Sequence, residues 1–385
     1  MLALLYLLLA VVALVVAIAA LEYWTFRTPD IGAPRGGSAE ARIEAIDRWL
    51  GALERQGKFN GTILFARRGS VVFQRNIGFA EASGRRIGDR TAFNLASVSK
   101  HMTAFAVLLL EREGELSRAD PLAAHLPELD RYRGVTLDHL LYHTSGIPEY
   151  IRLSRKKRGR HELLTPELLL SWLREAGADP RFPPGEKAAY CNTNYVLLAE
   201  IVARRSGLSF ADFMERRIFA PLGMADTAVV NRIENVGRLK DRAYGFRKRF
   251  WYGGAAVPYD LNHLDGAAGD GNIYASARDL VTWDAALREG RLLPAELYAA
   301  AYAPRRAKDG AVLGERHWGS AFQAGLGWNV QDLPVVSAYG AWRGFSNLYW
   351  RDLEKESVLA VLSNAGFLLR TASIGGKLTK ALGDL

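Results

Sequence analysis

Residues 93–112 read FNLASVSKHMTAFAVLLLER, a short β-type start that runs into an almost wholly apolar helix. From Ser97 to Arg112 the segment is apolar on nearly every face, which predicts a buried helix. Ser97 and Lys100 are three residues apart, so their side chains share one face at the positive end of the helix dipole. A serine hydroxyl is a poor nucleophile until a neighbouring group takes its proton, and this pair has the residues for that chemistry.

The Ser-x-x-Lys pattern is weak by itself, because a second copy runs from Ser154 to Lys157. That copy lies in the basic stretch SRKKR at residues 154–158, which is typical of a solvated loop. No apolar helix is predicted after Ser154, in contrast to the sequence after Ser97. We therefore assign the candidate nucleophile to Ser97.

The chain on either side of this helix changes from strand to helix and back. Two β-rich runs joined by Arg67-Arg68-Gly69 predict a hairpin upstream, and residues 121–217 are mostly helical downstream. The order of elements predicts an α+β domain over residues 42–385, interrupted by a mostly helical lobe at about residues 121–265. The predicted strands are residues 61–66, 70–77, 335–339, 345–350 and 358–363.

A second group of polar residues follows the turn FPPGE at residues 182–186. Tyr190 and Asn192 stand two apart on an extended stretch that leads into a predicted helix. A lysine takes a serine proton only if desolvation or a neighbouring cation lowers the pKa of its amine, and a tyrosine phenolate can share the task. Tyr190 is therefore a second candidate for proton transfer.

With these residues the sequence resembles the serine β-lactamase and penicillin-binding-protein superfamily, which carries a Ser-x-x-Lys motif. The resemblance is to the class C-like branch, which also includes esterases, DD-peptidases and D-aminopeptidases. It extends over most of the chain after residue 41. Four matches in the expected order carry it: FNLASVSK at 93–100, LLYHTSGIP at 140–148, Tyr190-x-Asn192, and Gly269 to Leu280.

The resemblance implies a β-lactamase/transpeptidase-like fold, an antiparallel sheet flanked by helices with an inserted helical lobe. It implies that Ser97 is the acylated nucleophile and that Lys100 and Tyr190 are the proton-transfer pair. Asn192 would bind the substrate amide or ester. The backbone N–H groups of Ser97 and Trp342 would form the oxyanion hole. The resemblance implies no metal and no organic cofactor.

The third motif of the family departs from its usual form. Where the family has Lys-Thr-Gly or His-x-Gly on the strand that edges the cleft, this chain has Tyr339-Gly340-Ala341, followed by Trp342-Arg343. Tyr339 replaces a cation that could attract a substrate carboxylate, and Ala341 adds a methyl group where close backbone approach is usual. Arg343 is the candidate to restore a positive charge. These changes favour an ester or an uncharged amide as substrate.

The N-terminus has a separate pattern. Residues 2–21 form an uncharged apolar run, which as a helix reaches roughly the 30 Å of a hydrocarbon core and predicts one transmembrane helix. A cleaved signal peptide with the small-residue pattern Ala17-Ile18-Ala19 is the alternative. Residues 22–41 mix Pro and Gly breakers and predict a flexible tether. We expect a single-pass protein of the cytoplasmic membrane with an extracytoplasmic catalytic domain, although the arginines after the span favour the opposite orientation.

Composition excludes several classes of protein. A chain of 385 residues with 49% hydrophobic and 24% charged residues is neither a disordered tail nor a disulfide mini-protein.

The single cysteine, Cys191, excludes an intramolecular disulfide and a Cys-based zinc cluster, and it is interpreted as a packing residue. His139 and His143 stand four apart, but no Glu follows His139, which favours structural roles over zinc binding. The net charge of +9 favours anionic surroundings, and we expect no nucleic-acid partner.

We therefore expect a serine hydrolase that cleaves an ester or amide through an acyl-enzyme on Ser97. The alternative is a penicillin-recognising fold that has lost hydrolysis and serves as a binding or regulatory module, which the altered strand at residues 339–341 motivates. The expected partners are a small or peptide-like ester or amide substrate and, through the N-terminal helix, a membrane. The sequence leaves the oligomeric state open.

Overall fold

A computed structural model of the chain describes residues 6, 9–17, 28, 30–32, 37–156, 162–175, 178–233, 237–250, 253–306, 310–317, 320–323, 325–366 and 371–382. Its helices are α1 (residues 9–17), α2 (Ala39–Arg55), α3 (Lys100–Arg112), α4 (Leu122–His125), α5 (Leu137–Leu141), α6 (Tyr150–Lys156), α7 (Pro166–Arg174), α8 (Asn192–Ser206), α9 (Phe210–Met214), α10 (Ala220–Leu222), α11 (Ala277–Glu289), α12 (Ala295–Ala299) and α13 (Thr371–Leu382). Its strands are β1 (Gly61–Arg67), β2 (Ser70–Ile77), β3 (Phe93–Asn94), β4 (Ala228–Val229), β5 (Phe246–Phe250), β6 (Gly253–Pro258), β7 (Ile273–Ala275), β8 (Gly314–His317), β9 (Ser320–Gln323), β10 (Asn329–Asp332), β11 (Val335–Trp342), β12 (Phe345–Asp352) and β13 (Ser357–Ser363).

The main sheet joins the two ends of the chain. Its six antiparallel strands have the order β10-β11-β12-β13-β1-β2, so the predicted N-terminal hairpin pairs with the last strand. Gly61 lies opposite Ser363 and Arg67 opposite Ser357. All the helices from α3 to α12 therefore lie in a connection between β2 and β10. The predicted α+β fold is confirmed.

Both faces of the sheet are covered, because alternate residues of a strand point to opposite faces. Ile63 and Phe65 of β1 pack with Trp49 of α2 and Leu378 of α13. Leu64, between them, belongs to the larger core that contains α3 and α11. Helix α2 begins at Ala39, because the side chain of Ser38 caps it by accepting a hydrogen bond from the Ala41 N–H.

The fold brings one turn and one strand together at the boundary of the sheet and the lobe. Strand β3 pairs with β7 in a small three-stranded sheet and leads into a 3-10 turn, Ala96–Ser99, before α3. This turn packs against β11 at Gly340. The turn that contains Ser97 and the strand of the third motif are thus adjacent, although more than 230 residues separate them in sequence.

The prediction of one transmembrane helix over residues 2–21 is wrong for the part of the chain that the structure describes. The described helical residues in this stretch are residue 6 and residues 9–17. Among the described residues, no helix has the length and apolar character that crossing a bilayer requires. The other positions of the predicted span, residue 6 excepted, lie outside the described residues. The extracytoplasmic location of the catalytic domain stays a prediction.

A buried carboxyl group in the first turn of α11 makes stability depend on pH. Asp279 accepts hydrogen bonds from the Asp226 N–H at 2.8 Å and the Thr227 hydroxyl at 2.7 Å. Desolvation raises the pKa of Asp279 from 3.8 to about 6. Between these values the folded state binds more protons than the unfolded state, so raising the pH from 4 to 7 lowers the free energy of unfolding. In Asp279→Asn, the decrease in the free energy of unfolding between pH 4 and pH 7 should be smaller by about 2 kcal/mol.

Urea unfolding of both proteins at pH 4 and pH 7 measures this difference. The asparagine keeps an oxygen that can accept the two hydrogen bonds, so the comparison isolates the charge. An equal change in unfolding free energy with pH in the two proteins would contradict the prediction.

Candidate active site

The turn that carries Ser97 is held by two asparagines. Ala96 has a φ of 49°, a strained left-handed conformation for a residue with a Cβ. The side-chain oxygen of Asn94 accepts a hydrogen bond from the Ala96 N–H at 2.9 Å. The side chain of Asn347, on β12, donates to the Asn94 carbonyl at 2.8 Å. Sequence analysis did not single out either asparagine, because asparagines are common in turns and strand ends.

Lys100 is buried at the start of α3, with 2% of its surface exposed. Its Nζ donates to Ser97 Oγ at 3.1 Å, to the side-chain oxygen of Asn192 at 2.9 Å and to the backbone carbonyl of Asp270 at 2.6 Å. An ammonium group has three donors. All three therefore have an acceptor in this arrangement.

Tyr190 lies on the extended stretch before α8. Its hydroxyl donates a hydrogen bond to Ser97 Oγ at 2.6 Å. The ammonium of Lys100 lies 5.0 Å from the centroid of the Tyr190 ring, within the range of a cation–π contact. The ring of His143 packs against the ring of Tyr190 with their centroids 4.6 Å apart. Ser97 Oγ is thus contacted by both members of the predicted proton-transfer pair.

Asn192 is the first residue of α8, and this places its side chain against Lys100. The capping position of the helix is Cys191, which makes no side-chain capping bond. The carboxylate of Glu149, the residue before α6, caps α8 instead. Its Oε2 accepts a hydrogen bond from the Asn192 N–H at 2.6 Å. The position of Asn192 therefore depends on Glu149.

Strand β11 approaches the nucleophile at Gly340, a residue that sequence analysis did not assign to the site. A Cβ added at Gly340 would lie 2.1 Å from the Leu95 carbonyl oxygen and 3.1 Å from the Ser97 nitrogen. A side chain at this position would collide with the backbone of the nucleophile turn. The signal was present in the sequence, because a glycine inside a strand often marks close backbone approach.

The other predicted residues of β11 lie on either side of Gly340. Tyr339 is 46% exposed. Trp342 donates its indole N–H to the carboxylate of Asp265 at 2.7 Å. Arg343 lies in the turn after β11 with its guanidinium 5.0 Å from the centroid of the Tyr259 ring. Four of the predicted site residues form one hydrogen-bonded group: Ser97, Lys100, Tyr190 and Asn192. The other three, Tyr339, Trp342 and Arg343, lie along the adjacent strand and the turn after it.

Sequence analysis also missed an acidic group beside this site. Asp270 accepts a hydrogen bond from the Tyr150 hydroxyl through its carboxylate, at 3.0 Å, as well as the bond from Lys100 through its carbonyl. Glu149 is the residue before Tyr150. No periodic pattern could reveal this group, because Asp270 and Glu149 are brought together only by the packing of α6 against the loop before β7.

The histidines and the cysteine near the site make structural hydrogen bonds. His139 Nδ1 accepts from the Thr136 N–H at 3.1 Å, and His143 Nδ1 accepts from the Cys191 N–H at 3.2 Å. The thiol of Cys191 is buried and donates to the Ile147 carbonyl at 3.3 Å. Burial raises the pKa of the Cys191 thiol, which suppresses its thiolate form and its reactivity.

The second Ser-x-x-Lys copy has a different environment from the one predicted. Ser154 lies in α6 rather than in a solvated loop, is 7% exposed and donates its hydroxyl to the Ile151 carbonyl at 2.8 Å. Lys157 lies outside the described residues. The bond of Ser154 to its own helix is the usual one for a serine inside a helix.

The chain is similar to known proteins over most of its length. The family model described as Beta-lactamase matches residues 46–378. A penicillin-binding protein of Bacillus subtilis (strain 168) is 34% identical over 318 residues, which are 80% of this chain and 68% of that protein. A D-aminopeptidase of Brucella ovis is 30% identical over 260 residues, 65% of this chain and 47% of the enzyme, so the match spans about half of the enzyme's length.

A solved structure has the same fold. The octameric penicillin-binding protein homologue from Pyrococcus abyssi superposes with a TM-score of 0.75 at 24% identity, over 90% of this chain and 78% of that one. At this identity the likeness concerns the fold.

Proposed function

This chain is a serine hydrolase of the beta-lactamase family, and we propose that it cleaves an amide or ester bond through an acyl-enzyme formed on Ser97. One observation carries the proposal. Ser97 Oγ lies 2.6 Å from the Tyr190 hydroxyl oxygen and 3.1 Å from Lys100 Nζ, within hydrogen-bonding distance of both. A nucleophile in contact with a proton acceptor, itself oriented by a third group, is the usual arrangement for covalent catalysis.

The contacts of Lys100 support a division of roles within the pair. The carbonyl of Asp270 can only accept a hydrogen bond, and so can the side-chain oxygen of Asn192. Lys100 is therefore the donor in both bonds. We assign the uptake of the Ser97 proton to Tyr190, with the adjacent ammonium stabilising the phenolate.

The reaction then runs in two halves. In the reacting form Tyr190 is a phenolate and the Ser97 hydroxyl is the donor in the bond between them. Ser97 Oγ attacks the substrate carbonyl carbon while its proton passes to the phenolate oxygen of Tyr190, and a tetrahedral intermediate forms. The intermediate collapses when the bond to the leaving group breaks and the leaving group takes the proton, which yields the acyl-enzyme. A water molecule then repeats the sequence. Its proton passes to Tyr190 and its hydroxyl oxygen bonds to the acyl carbon, and the bond to Ser97 Oγ breaks as Oγ takes the proton back from Tyr190, which releases the acid product and restores the enzyme.

The developing oxyanion needs hydrogen-bond donors. We assign this role to the backbone N–H groups of Ser97 and Trp342, as the family resemblance implies. The close packing of Gly340 against the Ser97 nitrogen supports the assignment, because it holds β11 alongside the nucleophile turn. The bond from Trp342 to Asp265 supports it as well, since it ties down the end of that strand.

The proposed substrate is an amide, peptide-like or ester molecule that presents an apolar or uncharged group to β11. The D-aminopeptidase relative supports an amide or peptide-like bond. The half-exposed Tyr339, at the position where the family usually has a lysine or histidine, supports an uncharged group at that edge.

Labelling the purified full chain with a fluorophosphonate and a fluorescent penicillin in parallel tests the proposal. We expect the fluorophosphonate to label the peptide that carries Ser97, mapped by mass spectrometry, and the penicillin to label it weakly or not at all. Equal labelling by both probes would contradict the substrate assignment. Labelling by neither, or on a different serine, would overturn the acyl-enzyme itself.

A further inference from the structure

His143 packs against Tyr190, the proposed acceptor of the Ser97 proton, without a part in the steps described above. It is the second residue after α5, and 1% of its surface is exposed. Its φ of 57° is the left-handed backbone conformation, which is uncommon for a residue with a Cβ. Such a conformation persists only where the surrounding structure fixes it, and it occurs often at functional sites.

Three contacts join His143 to the stretch that carries Tyr190. The Ala189 N–H donates to the His143 carbonyl oxygen at 2.9 Å, and the Cys191 N–H donates to His143 Nδ1 at 3.2 Å. The imidazole and the Tyr190 ring pack with their centroids 4.6 Å apart and their planes 31° from parallel. His143 therefore contacts each of three consecutive residues, with Tyr190 in the middle.

The imidazole of His143 is itself supported from α8. It packs against the ring of Tyr195 with the two centroids 5.1 Å apart. Tyr195 is fully buried, and its hydroxyl donates to the carbonyl of Leu141, the last residue of α5, at 2.8 Å. His143 therefore links the Tyr190 stretch to two helices of the buried core.

Tyr190 depends on such contacts because it lies outside the described helices and strands, so regular backbone hydrogen bonds do not fix its ring. Its hydroxyl oxygen lies 2.6 Å from Ser97 Oγ, and proton transfer needs a separation of about 2.6–3.2 Å. A shift of roughly 1 Å would take the two oxygens out of this range, and a misplacement of that size costs about 10²-fold in rate.

His143 itself is not placed to take the Ser97 proton. A neutral imidazole has one nitrogen that accepts a hydrogen bond and one that donates. The accepting nitrogen of His143 is Nδ1, and the Cys191 N–H already donates to it. The Ser97 hydroxyl is contacted by Tyr190 and Lys100 instead. A catalytic effect of His143 must therefore act through Tyr190.

We propose that His143 is a positioning residue, which holds the Tyr190 hydroxyl against Ser97 Oγ. It does so by accepting the hydrogen bond from the Cys191 N–H and by packing its ring on the Tyr190 ring. The inference rests on the proposed acyl-enzyme function, because it concerns the transfer of the Ser97 proton to Tyr190.

The test is the rate of Ser97 labelling by a fluorophosphonate, measured over a range of probe concentrations in variants of the full chain. His143→Ala removes the side-chain acceptor and the ring. It should lower the rate at saturating probe by about 10²-fold and leave the half-saturating concentration unchanged. His143→Asn places an acceptor near the position of Nδ1, and asparagine tolerates the left-handed backbone. It should recover about tenfold of the loss, the contribution of one neutral hydrogen bond.

The same substitution combined with Tyr190→Phe separates positioning from a purely structural role. Tyr190→Phe removes the hydroxyl, so the exact place of that ring no longer matters for proton transfer. Adding His143→Ala should then leave the saturating rate of Tyr190→Phe unchanged, because the effects of residues that act as a unit are not additive.

His139→Ala is the matched control, because His139 Nδ1 also accepts a backbone N–H, that of Thr136 at 3.1 Å. This variant should be labelled at the wild-type rate. Thermal unfolding establishes which variants are folded. If His143→Ala does not fold, His143→Asn takes its place in both comparisons, with an expected loss of about tenfold.

Two results would overturn the inference and leave the acyl-enzyme intact. One is a folded His143→Ala protein, or His143→Asn in its place, that is labelled at the wild-type saturating rate. The other is a substitution of His143 that slows Tyr190→Phe as much as it slows the wild type. A wild-type chain that is never labelled would overturn the proposed function and the inference together.

Discussion

Ser97→Ala will abolish covalent labelling and turnover and leave the fold intact. The substitution removes the only atom of Ser97 that can attack a carbonyl, together with the acceptor of the bonds from Tyr190 and Lys100. Lys100 keeps its acceptors on Asn192 and Asp270, so its buried charge stays satisfied. Loss of a catalytic serine lowers kcat by about 10⁶-fold in a well-studied serine protease. We expect a loss of that order, measured with an ester substrate and by fluorophosphonate labelling.

Ser154→Ala is the matched control for this experiment. Ser154 belongs to the second Ser-x-x-Lys copy, but its hydroxyl is bound to the Ile151 carbonyl of its own helix. The variant should be labelled at the wild-type rate, with a circular dichroism spectrum like that of the wild type. Labelling that persists in Ser97→Ala, or disappears in Ser154→Ala, would show that the nucleophile is a different residue.

Gly340→Ala should slow acylation by about 10²-fold, the cost that a misplacement of roughly 1 Å has at a catalytic site. The new methyl group would lie 2.1 Å from the Leu95 carbonyl oxygen and 3.1 Å from the Ser97 nitrogen. These are backbone atoms, so no side-chain rotation can relieve the contact and β11 must move away from the nucleophile turn. Overpacking of this kind also costs about 1–3 kcal/mol of unfolding free energy. Labelling kinetics and urea unfolding measure the two effects.

Gly376→Ala provides the comparison, because Gly376 is an exposed residue of α13 with no atom within 4 Å of an added Cβ. There the alanine should stabilise the helix by up to about 1 kcal/mol and leave labelling unchanged. If Gly340→Ala acylates as fast as Gly376→Ala, the strand does not set the geometry of the site.

Spacing along the chain singled out two pairs of candidate site residues. Ser97 and Lys100 are one helical turn apart, and Tyr190 and Asn192 are two residues apart at the start of a helix, so covalent geometry limits how each pair can point. The family resemblance assigned both pairs to one active site. The hydrogen bonds from Tyr190 and Lys100 to Ser97 Oγ match that expectation.

The N-terminal span shows where composition misleads. An uncharged apolar run over residues 2–21 has the length that a bilayer requires, but no helix among the described residues has the length and apolar character to cross one. Among the described positions the helix covers residues 9–17.

The amino-acid sequence alone determined the α+β order of elements, the Ser97–Lys100 pair and the Tyr190–Asn192 pair, because each depends on local periodicity or short spacing. Only the tertiary structure decided that Gly340 packs on the Ser97 backbone, that Glu149 accepts the Asn192 N–H and that the Asp270 carbonyl accepts a hydrogen bond from Lys100. Those contacts join residues from 43 to 243 positions apart, between Glu149 and Asn192 and between Ser97 and Gly340. Such contacts form only when the sheet closes through β1 and β13 and the lobe packs against it, which no local pattern encodes.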